Sequence, residues 1–147
     1  MLTKSTPTRK QKILAQQDNK NIAAILLEYC KDIDEWPCRW EIDKADVKMG
    51  QALLEPFKLF LIDRIEKGRA KSTIKIYANY LWALGGELIR QINYDDDERR
   101  LSAKELILKY VDGSGGPYWR HARDELDHYR YDSVCKQLFR FITNNIH

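Results

Sequence analysis

His121 and His128 lie seven residues apart, with Asp124, Glu125 and Asp127 between them. On one continuous helix the two imidazoles share a face, and imidazole beside carboxylate is a zinc-type ligand set. A solvated, charged helix carries the same pattern and is far commoner, so no metal is expected. The run Asp95-Asp96-Asp97-Glu98 offers hard oxygen donors of the kind that hold divalent cations. It lacks the alternating ligand positions of a calcium loop and reads as a solvated acidic loop. Cys30, Cys38 and Cys135 contain no CxxC pair and are too few for a disulfide framework; they are expected as buried or half-buried thiols. There is no phosphate-cradling glycine loop, no HExxH pair and no nucleophile elbow. With no coherent set of nucleophile, base and oxyanion donor, the chain is read as not an enzyme: no catalytic residue, no cofactor and no small-molecule substrate.

The basic residues point to a clearer task. Residues 1–20 carry Lys4, Arg9, Lys10, Lys12 and Lys20 against Asp18. A second cluster is Lys67, Arg69, Lys71 and Lys75, and a third is Arg120, Arg123, Arg130, Lys136 and Arg140, diluted by four acidic residues. Net charge is only +3 over 147 residues, so it is the uneven distribution that suits a polyanion. Arg69 and Lys71 precede a helix whose polar side carries Lys75 and Asn79. Ser72 and Thr73 stand at its start, where free backbone N–H groups beside a hydroxyl form a phosphate site. Lys75, one turn on, can reach a phosphate or a base edge in the major groove. Lys136, Arg140 and Thr143 occupy the outer side of the last helix. Two such faces on packed helices would flank one duplex groove; for either face alone, solubility is a sufficient explanation.

Positioning these residues requires helices. Hydrophobic residues make up 44% of the chain and charged residues 32%, with only 7 Gly and 4 Pro. That balance suits a globular all-α chain better than a turn-rich β fold. Residues 1–9 read as a disordered basic arm. Residues 10–50 read as an N-terminal helix, marked by Ile13, Leu14, Ile22, Ile25, Leu26 and Tyr29, then a linker. In that linker Trp36 and Trp40 plug a loop onto the body, and Gly50 is the hinge. Residues 51–147 form the main domain. Its first helix starts between Gln51 and Pro56, with Pro56 in the first turn, and stops at Gly68. Its second runs from Thr73 to Ile92, capped by Ser72, with a core stripe of Ile74, Tyr77, Leu81, Leu84, Leu88 and Ile92. Gly85-Gly86 within it implies close approach of another backbone. Asn93 to Arg100 is a surface loop, and Ser102 with Glu105 is a capping box that opens a short helix. Residues 112–117 are a flexible loop. The last helix lies within 118–145, on a stripe of Tyr131, Val134, Leu138, Phe141 and Ile142. No apolar run approaches the ~20 residues that span a bilayer. The odd cysteine count and the polar N-terminus fit a cytoplasmic location.

The stretch from Pro56 to Leu84 resembles the SAM-like core-binding domain that forms the N-terminal part of tyrosine recombinases and phage integrases. The shared features are Phe60-Leu61 near a helix end, Ser72-Thr73 opening the next helix, then Tyr77 and Leu81. The similarity continues in Leu101-Ser102-Ala103-Lys104-Glu105-Leu106 and in the segment from Ser133 to Ile142. It covers about residues 51–145, about two thirds of the chain. The resemblance implies a compact bundle of four helices, here with an additional N-terminal helix, that clamps duplex DNA through its second and fourth helices. It implies DNA contacts from Lys71, Thr73, Lys75 and Tyr77, and from Lys136 and Arg140. Recombinases follow this domain with a catalytic domain, whereas this sequence ends at His147; no strand cleavage is expected.

Two readings follow. The first is a stand-alone double-stranded DNA-binding domain, an integrase fragment or an accessory factor in mobile-element recombination. It would be nucleoid-associated and partnered by a separately encoded recombinase. Its DNA-binding residues would be Arg69, Lys71, Ser72, Thr73, Lys75, Tyr77, Asn79, Lys136 and Arg140. The alternative is a helical protein–protein interaction module whose basic faces only keep it soluble.

Overall fold

The computed structural model describes residues 23–144. The expected basic arm at 1–9 and the first part of the N-terminal helix lie outside the described residues. Among those described, the chain is helical and contains no strand. Helix α1 covers 23–29. A 3-10 turn, Ile33–Glu35, leads into the short α2, Trp36–Trp40. Then come α3, Asp46–Glu66; α4, Lys71–Tyr94; a second 3-10 turn, Asp96–Arg100; α5, Ala103–Tyr110; and α6, Glu125–Asn144. The stripe along α4 is its buried side, with Ile74, Leu81, Leu84, Leu88 and Ile92 fully enclosed. It packs on Leu53, Phe57, Phe60 and Leu61 of α3, on Leu106 and Ile107 of α5, and on Tyr131 and Leu138 of α6, all in one apolar cluster. No helix among the described residues is long and apolar enough to cross a membrane.

The segment expected as a tryptophan-containing loop is instead α2. Pro37 stands in its first turn, where the missing N–H removes no helical hydrogen bond. Both tryptophans are buried. Their rings lie 5.8 Å apart, and Trp40 meets Phe57 edge-on at 6.2 Å. Burying about 150–250 Å² of indole at ~25 cal/mol per Å² is worth about 4–6 kcal/mol. The Trp40 indole N–H donates to the Trp82 carbonyl at 2.9 Å. A Cβ on Gly85 would fall 2.1 Å from the Trp40 ring, so Gly85 is the notch that admits the indole. The close neighbour of the Gly85-Gly86 pair is therefore a side chain, not a backbone. On the other side, a Cβ on Gly50 would approach Pro37 to 3.0 Å. Gly50 is thus no hinge but a buried residue inside α3, where a side chain would crowd Pro37. Helix α3 begins before the expected range, at Asp46, and Pro56 lies in its interior. The N–H that Pro56 withholds would have served the carbonyl of Ala52, an exposed residue, so water can satisfy that carbonyl.

Asp46 explains the early start. Its carboxylate is buried and accepts from the backbone N–H groups of Ile42 and Asp43 at 2.9 and 2.8 Å. It also accepts from Asn93 Nδ2 at 3.0 Å and Arg99 Nη1 at 2.6 Å. Burial alone would raise its pKa; these four hydrogen bonds together outweigh burial and hold it below the ordinary carboxylate range. The segment expected as a surface loop thus carries a structural cation, Arg99. It also carries the buried carboxylate of Glu98, which pairs with Lys109 at 2.7 Å and accepts from the Tyr110 hydroxyl. Burial, followed by that bond to Glu98, pushes the Tyr110 phenol up to about 12. The Ser102–Glu105 capping box is present in both halves.

Residues 112–117 are pinned rather than flexible. Asp112 and Gly115 exchange backbone hydrogen bonds at 2.9 and 3.2 Å. Gly116 N–H donates to Asp132 Oδ1 at 3.0 Å, and the Tyr131 hydroxyl donates to the Pro117 carbonyl at 2.9 Å. Gly115 holds a φ of 137°, and a Cβ there would reach Asp132 Oδ1 at 2.4 Å, so glycine is required twice over. Cys30 is half-buried and Cys135 buried, but Cys38 is exposed, contrary to expectation.

The two adjacent glycines of α4 should respond oppositely to alanine. Gly85→Ala is expected to destabilise by about 1–3 kcal/mol through overpacking against Trp40. At Gly86 the added Cβ meets only ordinary contact at 3.7 Å, so Gly86→Ala should stabilise by about 0.5–1 kcal/mol through helix propensity. Urea midpoints of the two variants check this. The depressed pKa of Asp46 sets a second expectation. Its stabilisation is complete above the unfolded-state pKa of about 3.9 and fades as pH falls through the lower folded value. Asp46→Asn should cost about 3 kcal/mol at pH 7 and less at pH 3, measured by urea denaturation at both values.

Candidate nucleic-acid interface

The turn between α3 and α4 is closed by a Schellman pair. Gly68 N–H donates to the Ile65 carbonyl at 3.0 Å, and Arg69 N–H to the Arg64 carbonyl at 3.2 Å. This ends α3 as expected and leaves Arg69 exposed. Helix α4 then begins at Lys71, with Ala70 as an extended N-cap that makes no side-chain cap. Ser72 is therefore not the cap. Ser72 and Thr73 are the second and third residues of the helix, exposed and half-buried respectively. First-turn N–H groups have no acceptor within a helix, so this end still offers donors to an anion. Lys71 is exposed, with its ammonium 5.5 Å from the Tyr29 ring centre.

Helices α4 and α6 run antiparallel, a relation fixed by two tyrosines. The Tyr77 hydroxyl donates to Gln137 Oε1 at 3.1 Å, and the Tyr80 hydroxyl to Asp127 Oδ1 at 2.8 Å. Tyr77 also stacks edge-on against Phe60 at 5.6 Å. It is a buried strut between helices, at a position where the recombinase resemblance implied a DNA contact. Its position on the core stripe is the reason. Asp127 further accepts from the Arg123 backbone N–H at 3.1 Å, and its own N–H donates to Asp124 Oδ1 at 2.8 Å. These reciprocal bonds start α6 at Glu125 and leave 118–124 as a turn. The Arg123 N–H first, with the Tyr80 hydroxyl helping, outweighs burial and lowers the Asp127 pKa.

The two sets of basic residues stand on these paired helices. Lys75 is exposed two residues from Tyr77, and Lys136 is half-buried next to Gln137, with Arg140 exposed one turn further along α6. Asn79 is exposed on the same side of α4. Thr143 does not present its hydroxyl outward, since it donates back to the Phe139 carbonyl at 2.8 Å. Between α4 and α6 lies an open groove of ≈ 800 Å³. Tyr77, Tyr80, Val134 and Trp119 line it, together with Ile76 and Trp82 of α4 and Tyr129 of α6. Arg123, Arg130, Asn79, Asp127, Ser133 and Gln137 complete the lining. Sequence reasoning missed Ile76, Trp82, Tyr129 and Arg130. A signal existed: Ile76 and Trp82 are large apolar residues off the core stripe of an otherwise regular amphipathic helix.

Most cations elsewhere are engaged. Arg39, Lys58, Arg64, Lys67, Arg90, Arg99, Lys109, Arg120 and Arg123 all stand in ion pairs. Among the described residues Arg69, Lys71, Lys75, Arg130, Lys136 and Arg140 do not, and neither do Lys31, Lys44, Lys48, Arg100 and Lys104, which lie elsewhere. The two histidines are not brought together as ligands. His121 lies in the turn before α6, outside the helix. His128 accepts from the Trp119 N–H at Nε2 and faces Asp132 through Nδ1, at 3.1 and 3.0 Å. Among the described residues no three His, Cys, Asp or Glu side chains converge as a metal site.

The strut role of Tyr77 has a direct test. Tyr77→Phe should cost about 1 kcal/mol in thermal or urea unfolding, the net value of one hydrogen bond. Comparison of the chain with family models, with curated proteins and with solved structures gives no match.

Proposed function

We propose that this chain is a double-stranded DNA-binding module without catalytic activity. Its α3–α6 helices would form a four-helix bundle akin to the SAM-like core-binding domain of tyrosine recombinases, with an added N-terminal helix. The observation that carries the reading is that Lys75 on the outer face of α4 and Lys136 on α6 have no ion-pair partner among the described residues, while the Tyr77–Gln137 hydrogen bond joins the two helices. Cations left unpaired along two adjacent helices are available to neutralise phosphates. Arg69 and Lys71, with Ser72 and Thr73, extend this edge at the start of α4; Arg140 extends it on α6 and Asn79 along α4. The partner is then duplex DNA, in a cytoplasmic, nucleoid-associated setting alongside a separately encoded recombinase.

One observation favours the alternative of a protein-interaction module. Ile76, Trp82, Leu126 and Tyr129 are large apolar residues left exposed on this side of the molecule, more than a purely electrostatic surface needs.

Fluorescence anisotropy with labelled duplex over a salt series decides between them. DNA binding should weaken steeply with salt. Lys75→Glu combined with Lys136→Glu should lower affinity about tenfold or more and flatten the plot of log K against log salt by about 2. Absence of binding at low salt, or affinity unchanged in the double variant, rules the DNA reading out.

A further inference from the structure

We infer that the α4–α6 groove is a receptor for an unpaired nucleobase, so that the preferred ligand is duplex DNA carrying an extrahelical base. This rests on the DNA reading of the same face and narrows its substrate class. A surface that only tracks phosphates needs cations, not exposed rings. Here Trp82 is 45% exposed, Tyr129 66% and Ile76 49%, and all three line one groove. Among the described residues the Trp82 side chain makes no hydrogen bond or ring contact; the Trp40 indole uses the Trp82 backbone carbonyl. An indole and a phenol on opposite helices present π-faces on which any base can stack. Gln137 uses its Oε1 to accept from Tyr77, which leaves its amide N–H groups to donate to a base edge. Asn79 adds a second amide to the lining.

Charge selects among occupants. Asp127, the acidic residue lining the groove, is already committed to the Tyr80 hydroxyl and the Arg123 N–H. Arg130, next to Tyr129, has no ion-pair partner among the described residues, and the Lys136 ammonium stands 6.0 Å from the Tyr129 ring centre. Rings beside free cations fit a base with its flanking phosphates. A volume of ≈ 800 Å³ falls among pockets of about 300–1,000 Å³ that enclose small ligands. Bases inside a paired duplex are stacked and must be extruded at a cost, whereas an already unpaired base enters without it.

The test uses the full chain and two labelled duplexes of equal length and flanking sequence, one fully paired and one with a single thymidine bulge, titrated by anisotropy. The bulged duplex should bind about tenfold more tightly. Trp82→Ala should remove that preference and leave affinity for the paired duplex within about twofold. Tyr129→Ala, at a still more exposed position, should do the same and serves if the tryptophan variant unfolds by circular dichroism. Equal affinity for both duplexes, or a preference that survives both substitutions, overturns the base receptor and leaves duplex binding standing. No binding to either duplex at low salt overturns both readings. A monomer–dimer equilibrium in sedimentation, or capture of a synthetic acidic peptide, that Trp82→Ala abolishes while neither duplex binds makes the groove a protein interface and overturns the inference.

Discussion

The contact on which the rest of the structure depends is the Trp40 indole seated on Gly85. A side chain of any size at position 85 would overlap the ring, so the indole reaches the α4 backbone only because that position is empty. Once there, its N–H satisfies the Trp82 carbonyl and its ring meets Phe57 of α3. Helix α2 is thereby wedged between α3 and α4, with Gly50 giving way to Pro37 on one side and Gly85 to Trp40 on the other. A glycine within a helix sacrifices about 1 kcal/mol of propensity, well below the several kcal/mol of apolar burial that an indole contributes.

The wedge sets α3 against α4, and α4 then orients α6. Tyr77 and Tyr80 lie on the buried side of α4 and send their hydroxyls to Gln137 and Asp127, which fixes the antiparallel alignment. Side chains three and four residues apart share a helix face. Fixing the inner face of α4 through Tyr77, Tyr80 and Leu84 therefore also fixes its outer face, where Lys75, Ile76, Asn79 and Trp82 are presented. The groove is a by-product of how the tyrosines dock, and its mixed aromatic and cationic lining follows from which residues stand one step off the buried stripe. The buried carboxylates act similarly at the opposite end of α4: Asp46 joins the α3 start, Asn93 and Arg99, and Glu98 joins α5 through Tyr110 and Lys109.

Much of the fold was legible because the responsible forces are local. The α4 stripe, the Gly68 stop and the Ser102–Glu105 capping box each depend on residues within one or two turns, and each is found where periodicity and capping chemistry place it. The misreadings share an opposite cause. The helix at Trp36–Trp40 is too short to show a period, and residues 46–50 join α3 because Asp46 finds partners at Asn93 and Arg99, far away in sequence. Ser72 looked like a cap by residue type, but Ala70 adopts the extended conformation that starts the helix two residues earlier. Tyr77 belongs to the stripe by spacing, and it is buried there.

For the candidate site, the sequence alone determined which residues carry charge, that they lie on helices, and which side of each helix is polar, because those properties repeat with the helical period. Only the tertiary structure decided that the helices bearing Lys75 and Lys136 are paired, that Arg99 and Arg123 are tied to carboxylates while Arg69, Lys75 and Arg140 have no ion-pair partner among the described residues, and that Ile76, Trp82 and Tyr129 line one groove. Those are relations between segments distant in the chain, set by how an indole and two phenols pack, and no local pattern encodes them.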